Sequence, residues 1–475
     1  MTAATSSHML RQIGALYITA LLTACAGTPT PDNLAISAPE PKDLLYRPRL
    51  SVGDDIGETL VMLSFSGGGT RAAALSYGVM QELRDTLVDS NGKKIRVLDE
   101  IDTISSVSGG SFTAAYYGAF REDLFSNYES DFLRRNVQGD LIGSLFNPAN
   151  WFRSGSRTDR AAEYYDKHIF RNATFEDIAV QGPPHIDINA TDLSTGSRFT
   201  FTQELFDLIC TDLGEYPLSR AVTASSAVPV AFPTVILKNH ADQCDVSETP
   251  HWQILAQAKP ETYAQQELVS SLKSYRNAEK RPFIHLVDGG IADNLGLRAV
   301  VDRVEGLGAG GSKLLERSNV RNVLVILVNA EVHRDMQIDT SPTSPSGRTV
   351  VSATTSAQMN RYNQETLDSV RRNIAEYEAT AKRANAPVRF YFSEVNFSRI
   401  KGERLSRIFN ALPTSLALED EEVDWLIAAG RKLLREDPEF QRFKANNNAE
   451  LVEGAMSNED ICRLSPTGDC NPNNL

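Results

Sequence analysis

The chain lacks an excess of positive charge. Its 475 residues contain 48 Lys and Arg against 61 Asp and Glu, so the formal net charge at pH 7 is -13. Nucleic acids and anionic lipid surfaces are both bound through basic patches. The composition therefore argues against a nucleic-acid-binding protein and against electrostatic attachment to a membrane. Any membrane contact must be apolar or covalent.

The amino-terminal apolar run is too short to cross a bilayer as a helix. It covers residues 13–22 and follows Arg11, which is typical of a signal-peptide core. We therefore interpret residues 1–24 as a signal peptide. The run ends in Leu22-Thr23-Ala24-Cys25, which resembles the bacterial lipobox. That resemblance implies that Cys25 carries lipid; the alternative is an ordinary secretory peptide with a coincidental cysteine.

The residues after this segment indicate a cell-envelope location. In the lipobox sorting pattern, an Ala such as Ala26 after the cysteine, rather than Asp, points to the outer membrane. We expect a bacterial protein anchored there, facing the periplasm or the cell surface. Residues 25–50 are rich in Pro, Thr, Ser and Ala without periodicity, which predicts a tether behind the lipid site.

Cysteine is scarce, with five residues in the chain. If Cys25 carries lipid, the other four could form two disulfides in an oxidising compartment. Of the three possible pairings we prefer Cys210 with Cys244 and Cys462 with Cys470, and free thiols are the alternative. The spacings lack a close second pair or partnering histidines, so we expect neither a metal ion nor another cofactor.

Short apolar strands alternate with helical stretches from residue 51 to residue 445. This alternation predicts one α/β domain with a mostly parallel sheet covered by helices. Residues 446–475 form a polar tail that contains cysteines. Strands are predicted at residues 60–65, 104–107, 186–190, 199–201, 283–287, 323–328 and 388–392, helices at 71–88, 112–120, 295–304, 355–384 and 419–436, and a surface loop at 338–349.

Three glycine-rich turns each follow a predicted strand directly. They are Ser66-Gly67-Gly68-Gly69-Thr70-Arg71, Ser106-Val107-Ser108-Gly109-Gly110 and Asp288-Gly289-Gly290. Because open α/β sheets place active sites at the carboxyl ends of their strands, we expect the three turns to lie close together.

The turns carry the groups that acyl transfer needs. Ser108 stands at a sharp strand-to-helix turn between small residues, where a hydroxyl can act as a nucleophile. Gly67, Gly68 and Gly69 offer successive N–H groups beside a helix start, where a negative oxygen can be held. Each motif alone also has an ordinary explanation: a turn or phosphate cradle, a helix cap, and an Asp-Gly turn pair.

Taken together, the motifs resemble those of the patatin-like phospholipase family. That family has a glycine-rich oxyanion turn followed by a basic residue, here Arg71, then a serine elbow and a distant Asp-Gly-Gly. Residues 190–196 and 224–229, with Phe232-Pro233 after them, also look like family blocks. The resemblance spans residues 60–294 and implies a three-layer α/β/α fold with a mostly parallel central sheet.

The resemblance implies a Ser-Asp pair that hydrolyses lipid carboxylic esters. Ser108 would attack the ester carbonyl, Asp288 would take its proton, and the amides of Gly67 to Gly69 would hold the oxyanion. An ordinary aspartate, with a pKa of about 3.9, is a weak base, so burial would have to raise that pKa. The supporting residues would be Arg71, Gly110, Gly289 and Gly290.

Two residues depart from the family pattern. Ser106 stands where the elbow usually opens with Gly, and Ala72 stands where the oxyanion turn usually ends with Gly. Both replacements are small, and we interpret them as subfamily variation. We interpret Arg71 as a structural clamp rather than a substrate ligand.

Alternative readings remain open at this point. A Ser-Asp-His triad would need His333, the one histidine downstream of Asp288, whereas His285 fits a core position better. A noncatalytic lipoprotein that binds lipid or a partner is the other alternative.

The apolar segment 141–152 is either a lid facing lipid or core. We expect a lipid ester as substrate and the membrane, through Cys25, as partner; the lipid and the ester position cleaved stay open.

Overall fold

The strands of the domain begin at residue 59. The computed structural model describes residues 31, 33–38, 58–90, 92–146, 155–229, 232–260, 262–299, 301, 320–332, 337–383, 388–463 and 466. The strands are β1 (Thr59–Phe65), β2 (Thr86–Ser90), β3 (Lys93–Arg96), β4 (Ile101–Val107), β5 (His185–Asp192), β6 (Arg198–Thr200), β7 (Val235–Lys238), β8 (Phe283–Asp288), β9 (Asn322–Asn329), β10 (Arg389–Asn396) and β11 (Glu450–Leu451).

The helices alternate with these strands along most of the chain. They are α1 (Thr70–Arg84), α2 (Gly109–Phe120), α3 (Val137–Phe146), α4 (Arg157–Tyr165), α5 (Phe175–Gln181), α6 (Gln203–Leu208), α7 (Leu218–Ser225), α8 (Pro250–Gln257), α9 (Tyr263–Ser274), α10 (Gly290–Asp293), α11 (Gly347–Arg383), α12 (Glu403–Ala411), α13 (Asp420–Arg435), α14 (Pro438–Asn446) and α15 (Asn458–Arg463).

The central sheet is mixed but mostly parallel. Among the described residues it has eight strands in the order β10, β9, β1, β4, β5, β8, β7, with β6 paired to β5. The five strands from β10 to β5 are parallel to one another. Strand β8 runs antiparallel to β5, and β7 runs antiparallel to β8. A separate small sheet joins β11, β2 and β3.

Helices cover both faces of the central sheet. Along β1, Val61, Leu63 and Phe65 are buried in a core that also contains residues of α1, α2 and α13. Met62 belongs to a second core, which Val370 of α11 also joins. Alternate residues of a strand point to opposite faces, so these two cores lie on either side of the sheet. The predicted α/β/α fold with a mostly parallel sheet is confirmed.

The predicted elements agree with the structure except at a few boundaries. The helix predicted at 71–88 ends at Arg84, because the next residues leave the helix and pair with β3. Apolar spacing continues through Leu87 and Val88, so periodicity alone misses this helix end. The loop predicted at 338–349 contains a short 3₁₀ turn, and α11 begins within it at Gly347. The helix predicted at 295–304 lies partly outside the described residues.

Part of the predicted tether contacts the domain. Asn33 is buried, and the Ile36 N–H donates a hydrogen bond to Cys210 O at 2.9 Å. Composition predicted a free segment here, but polar side chains that find specific partners can order such a stretch. Residues 1–24 and Cys25 lie outside the described residues. No helix in the described ranges combines the length and the apolar character that crossing a membrane requires.

The preferred disulfide between Cys210 and Cys244 is confirmed. The two cysteines are 34 positions apart in the sequence, and the disulfide lies in a small buried cluster with Val246. The other predicted pair, Cys462 with Cys470, involves side chains outside the described residues.

Helix α1, which follows the first glycine turn, packs against α13 through glycines. A Cβ on Gly430 would lie 2.3 Å from Leu75 O, and a Cβ on Gly78 would lie 2.2 Å from Ile427 O. The backbones of the two helices are therefore in direct contact. Buried ion pairs join the same helices: Arg435 Nη2 to Glu82 Oε2 at 2.7 Å and Arg431 Nη2 to Asp85 Oδ2 at 2.8 Å.

We expect Gly430→Ala to lower the free energy of unfolding by about 1–3 kcal/mol, because the added methyl group must push α1 away. Urea titration followed by circular dichroism measures this change. Gly143→Ala is the matched control: Gly143 lies within α3, and a Cβ there meets no described atom within 4 Å. The control should be neutral or stabilising by up to about 1 kcal/mol. Equal destabilisation by both substitutions would contradict this packing.

Candidate active site

Ser108 and Asp288 stand on the two strands that flank β5. In the sheet register Val107 is level with Asn189, and Asp288 pairs with Ala190. Ser108, one residue further along, is therefore also level with Ala190. Two strand spacings, about 10 Å, separate the backbones of the pair. The side chains close this gap: Ser108 Oγ donates to Asp288 Oδ2 at 3.0 Å.

Ser108 occupies a strained turn between β4 and α2. Its backbone has φ 50° and ψ -118°, a conformation that non-glycine residues rarely adopt and that marks a nucleophile elbow. The next residue allows the first glycine turn to come close, since a Cβ on Gly109 would lie 2.0 Å from Gly69 O. Helix α2 begins at Gly109, so the positive end of its dipole lies beside Ser108.

Ser225, at the end of α7, holds the elbow in place. Its Oγ donates to Asn189 O at 2.6 Å. Because that bond uses the single hydroxyl proton, Ser225 Oγ accepts in its other two bonds. The donors are the Ser108 N–H at 2.8 Å and Ser111 Oγ at 3.0 Å. One hydroxyl therefore ties the backbone of Ser108 to α2 and β5.

Hydrogen bonds to its carboxylate and to its backbone orient Asp288. Its Oδ1 accepts from the Gly290 N–H at 2.8 Å, and its backbone O accepts from Thr191 Oγ1 at 2.8 Å. The Gly289 N–H donates to Ser225 O at 3.0 Å, so α7 contacts both halves of the pair. Oδ2 is left facing Ser108.

Burial raises the pKa of Asp288 to about 6. Its side chain is only 8% exposed, and desolvation disfavours the charged form of a carboxyl group. The hydrogen bonds from the Gly290 N–H and the Ser108 hydroxyl oppose this rise. The carboxylate is therefore ionised near neutral pH and more basic than an ordinary aspartate, as general base catalysis near neutral pH requires.

The first glycine turn has fewer free amides than predicted. The Gly67 N–H donates to Asn294 O at 3.0 Å and is therefore already occupied. In the described part of the chain the N–H groups of Gly68 and Gly69 have no hydrogen-bond acceptor. Gly69 has a φ of 63°, which favours glycine. The turn thus offers two amides for an oxyanion, and Gly67 serves to attach the turn to the segment after Asp288.

Arg71 has the contacts of a structural clamp. Its side chain is buried, with Nε donating to Ala330 O at 2.9 Å. Nη1 donates to Leu412 O at 2.8 Å and Nη2 to Thr414 Oγ1 at 3.0 Å. These bonds join the start of α1 to the segments after β9 and α12.

The two departures from the family pattern are accommodated without disturbing the elbow. Ser106 Oγ donates to Asp187 O at 3.0 Å, so the extra side chain is buried with a partner. Ala72 is buried in the first turn of α1. Gly110 lies close to β1, because a Cβ there would be 2.8 Å from Phe65 O.

The histidines do not complete a triad among the described residues. No described histidine hydrogen-bonds to Ser108 or Asp288. His285 stands three residues before Asp288 on β8 and so faces the other side of the sheet, where its Nδ1 pairs with Thr234 Oγ1 at 3.1 Å. His333 lies outside the described residues. Nor, within the described ranges, do His, Cys, Asp or Glu side chains cluster as metal ligands.

The segment 141–152 is only partly described. Residues up to Phe146 belong to α3, where Ile142 is 48% exposed and Leu141 packs against the main core. Residues 147–154 lie outside the described residues, so the lid role stays a prediction.

Sequence reasoning missed Ser225, Asn189 and Thr191 as parts of the site. Ser225 and Thr191 lie in the two blocks between elbow and aspartate, but those blocks carried no assigned role. Asn189 is a fully buried polar residue within β5, and its Nδ2 donates to Ser106 O at 3.1 Å. The alternation of Asp187, Asn189 and Thr191 with apolar residues in β5 is the signal that could have identified it.

The fold and the site are those of an α/β protein with a serine at a strand-to-helix elbow and an aspartate beside it. The family model for patatin-like phospholipase matches residues 63–301. That range is half of the chain, and the chain belongs to the patatin-like phospholipase family. Members of this family are lipid acyl hydrolases.

Other comparisons add little to this assignment. No curated protein matches the chain. A solved structure, human GIVD cytosolic phospholipase A2, is 13% identical with a TM-score of 0.30, and the alignment covers 57% of this chain and 46% of that one. The chain therefore spans about half the length of that relative, and a likeness at this level carries no further argument.

We expect Ser225→Ala to slow phosphonylation of Ser108 by a fluorophosphonate at least about tenfold, since two buried donors lose their acceptor and the elbow relaxes. Mass spectrometry of the labelled peptide gives the rate. Ser226→Ala is the matched control, because Ser226, directly after α7, donates its hydroxyl back to Val222 O of that helix at 2.7 Å and not to the elbow. It should label at nearly the wild-type rate. Equal rates for both variants would contradict the role of Ser225.

Proposed function

We propose that the protein is a serine acyl hydrolase, of the phospholipase A or lysophospholipase type, that cleaves carboxylic esters of lipids. The observation that carries this proposal is the buried hydrogen bond from Ser108 Oγ to Asp288 Oδ2. Membership of the patatin-like phospholipase family supports a lipid substrate. Ser108 is the nucleophile and Asp288 the general base.

In the acylation step Asp288 accepts the Ser108 proton as Oγ attacks the ester carbonyl carbon. The tetrahedral oxygen becomes negative, and the Gly68 and Gly69 amides, at the positive end of α1, stabilise it. When the C–O bond breaks, the protonated carboxyl of Asp288 gives its proton to the leaving alcohol. The acyl chain remains esterified to Ser108.

In the deacylation step the same groups act on water. Asp288 accepts a proton from a water molecule, whose oxygen attacks the acyl-enzyme carbonyl. Collapse of the second tetrahedral intermediate returns the proton to Ser108 Oγ and releases the fatty acid. A single carboxylate serves both steps, so the pair needs no histidine.

The anchor belongs to the same proposal. Lipidation of Cys25 would hold the hydrolase at the outer membrane beside its substrates. The lipobox-like segment at residues 22–25, directly after the apolar run, supports it.

We expect Ser108→Ala to reduce fatty-acid release from a mixed phospholipid extract by at least about a thousandfold, as loss of a nucleophile does in comparable pairs. Mass spectrometry of the products measures the release and identifies the ester position cleaved. His333→Ala should change the rate by only a small factor. A loss of several thousandfold in His333→Ala, with the fold intact, would establish a Ser-Asp-His triad instead.

We expect kcat/KM on a short soluble ester to rise about tenfold per pH unit up to a pH of about 6 and then level off, because only ionised Asp288 accepts the proton. Asp288→Asn should abolish this activity. A rise that levels off near pH 4 would show that Asp288 is not the base.

Asp288→Asn should also stabilise the fold at pH 7. The folded-state pKa is raised, so the stability that Asp288 contributes is present below about pH 4 and is lost as pH rises through about 6. An uncharged Asn avoids that loss, worth up to about 3 kcal/mol. A higher Tm at pH 7 but not at pH 4 would separate lost catalysis from unfolding.

A further inference from the structure

The side-chain amide of Asn33 completes the outermost strand of the sheet. Its Nδ2 donates to Lys238 O at 2.9 Å, and its Oδ1 accepts from the Lys238 N–H at 2.8 Å. Nδ2 also donates to Thr211 Oγ1 at 2.9 Å, and His240 Nε2 donates to Asn33 O at 3.3 Å. Lys238 belongs to β7, the edge strand, so Asn33 supplies both bonds that a neighbouring strand would make.

The next residues extend this attachment onto the disulfide. Ala35 forms an antiparallel bridge with Thr211, and the Ile36 N–H donates to Cys210 O. The Ile36 side chain packs against the cluster of the disulfide and Val246. Backbone, side-chain and apolar contacts therefore all hold residues 33–36 on one edge of the domain.

We propose that residues 33–36 are a strap that orients the domain on the membrane, with the edge formed by β7 and β8 facing the bilayer lipid. The inference rests on the proposed lipidation of Cys25. It does not depend on the catalytic roles.

The length of chain available to the anchor sets this orientation. Asn33 lies eight positions after Cys25 in the sequence, so the lipid can lie at most about 29 Å from the strap. Measured to Thr59, where the sheet begins, the chain after Cys25 could span at most about 120 Å. A domain of about 400 residues is about 55 Å across, which is longer than the reach to the strap and shorter than the reach to Thr59. An anchor attached through the strap therefore keeps the far side of the domain away from the membrane.

The edge that the strap marks carries exposed apolar side chains. Phe283 pairs with Lys238 and is 46% exposed. Ile254, which is 50% exposed, belongs to α8, and Trp252 of that helix packs on the disulfide cluster. Lys280, just before this strand, is exposed as well. Asp288 ends the same strand five residues after Phe283, about 17 Å away. The strap therefore holds the catalytic pair within about one lipid length of the bilayer.

Leu451 marks the opposite side of the domain. It is 42% exposed and pairs with β2, which follows α1. Helix α1 begins at the carboxyl end of β1 and runs about 22 Å back toward the other end of the sheet. Phe283 lies beyond the carboxyl end of β5, since Leu286 pairs with Asp192. Positions 283 and 451 are thus a matched pair of similar exposure.

The test is photocrosslinking of the full-length, membrane-bound protein with p-benzoyl-phenylalanine at position 283 or 451. We expect lipid adducts at position 283 to exceed those at 451 by about fivefold or more, and Asn33→Ala to bring the two yields within about twofold. An insertion of about 20 Gly and Ser residues between Thr28 and Pro29 should do the same, because it adds up to about 70 Å of reach.

Two controls keep this result interpretable. The activity on a short soluble ester should be unchanged in Asn33→Ala and in the insertion, which separates orientation from catalysis. The melting temperature should be unchanged in the insertion, whereas Asn33→Ala should lower it modestly because buried hydrogen bonds are lost. Hydrogen exchange of the Lys238 amide should accelerate in Asn33→Ala alone. The proposal would be overturned by equal yields of lipid adducts at positions 283 and 451 in the parent protein. It would also be overturned by a yield ratio that neither variant changes, or by a Cys25 that carries no lipid.

Discussion

The hydrogen bond between Ser108 Oγ and Asp288 Oδ2 is the interaction on which the site depends. It requires two side chains from strands that are not neighbours to meet across β5. The residue level with both in the sheet register is Ala190, whose side chain is a single methyl group. The proposed role of Asp288 as general base also requires a carboxylate that stays ionised when buried. Desolvation raises the Asp288 pKa, and the Gly290 N–H limits the rise, so the group remains ionised near neutral pH.

The scaffold around the pair is built to keep this geometry. The strained backbone of Ser108 persists because Ser225 accepts its N–H and is itself bound to β5. Arg71 fixes the start of α1, and the glycine contact and buried ion pairs with α13 hold that helix along its length. The glycine turn before α1 is thereby held in place, as the proposed stabilisation of an oxyanion requires.

Local patterns were sufficient for most elements and for the two turns that bring Ser108 and Asp288 together. Strand and helix periodicities are properties of short segments, and the glycine turns follow directly from them. The errors arose where long-range partners decide the outcome. Periodicity could not show that the Gly67 N–H is occupied by Asn294, nor that residues after Arg84 pair with β3. Composition could not show that Asn33 binds the edge of β7.

The sequence by itself determined the class of fold, the Ser108 elbow, the Asp288 turn and the family resemblance, because these are written in contiguous residues and their order. The tertiary structure alone decided that β8 runs antiparallel, that Asp288 is level with Ser108, and that burial raises its pKa. It also decided which amides remain free and where the segment at Asn33 attaches. Such features depend on which distant groups bind a given donor or exclude water from it. The spacing of residues in the sequence does not show which groups these are.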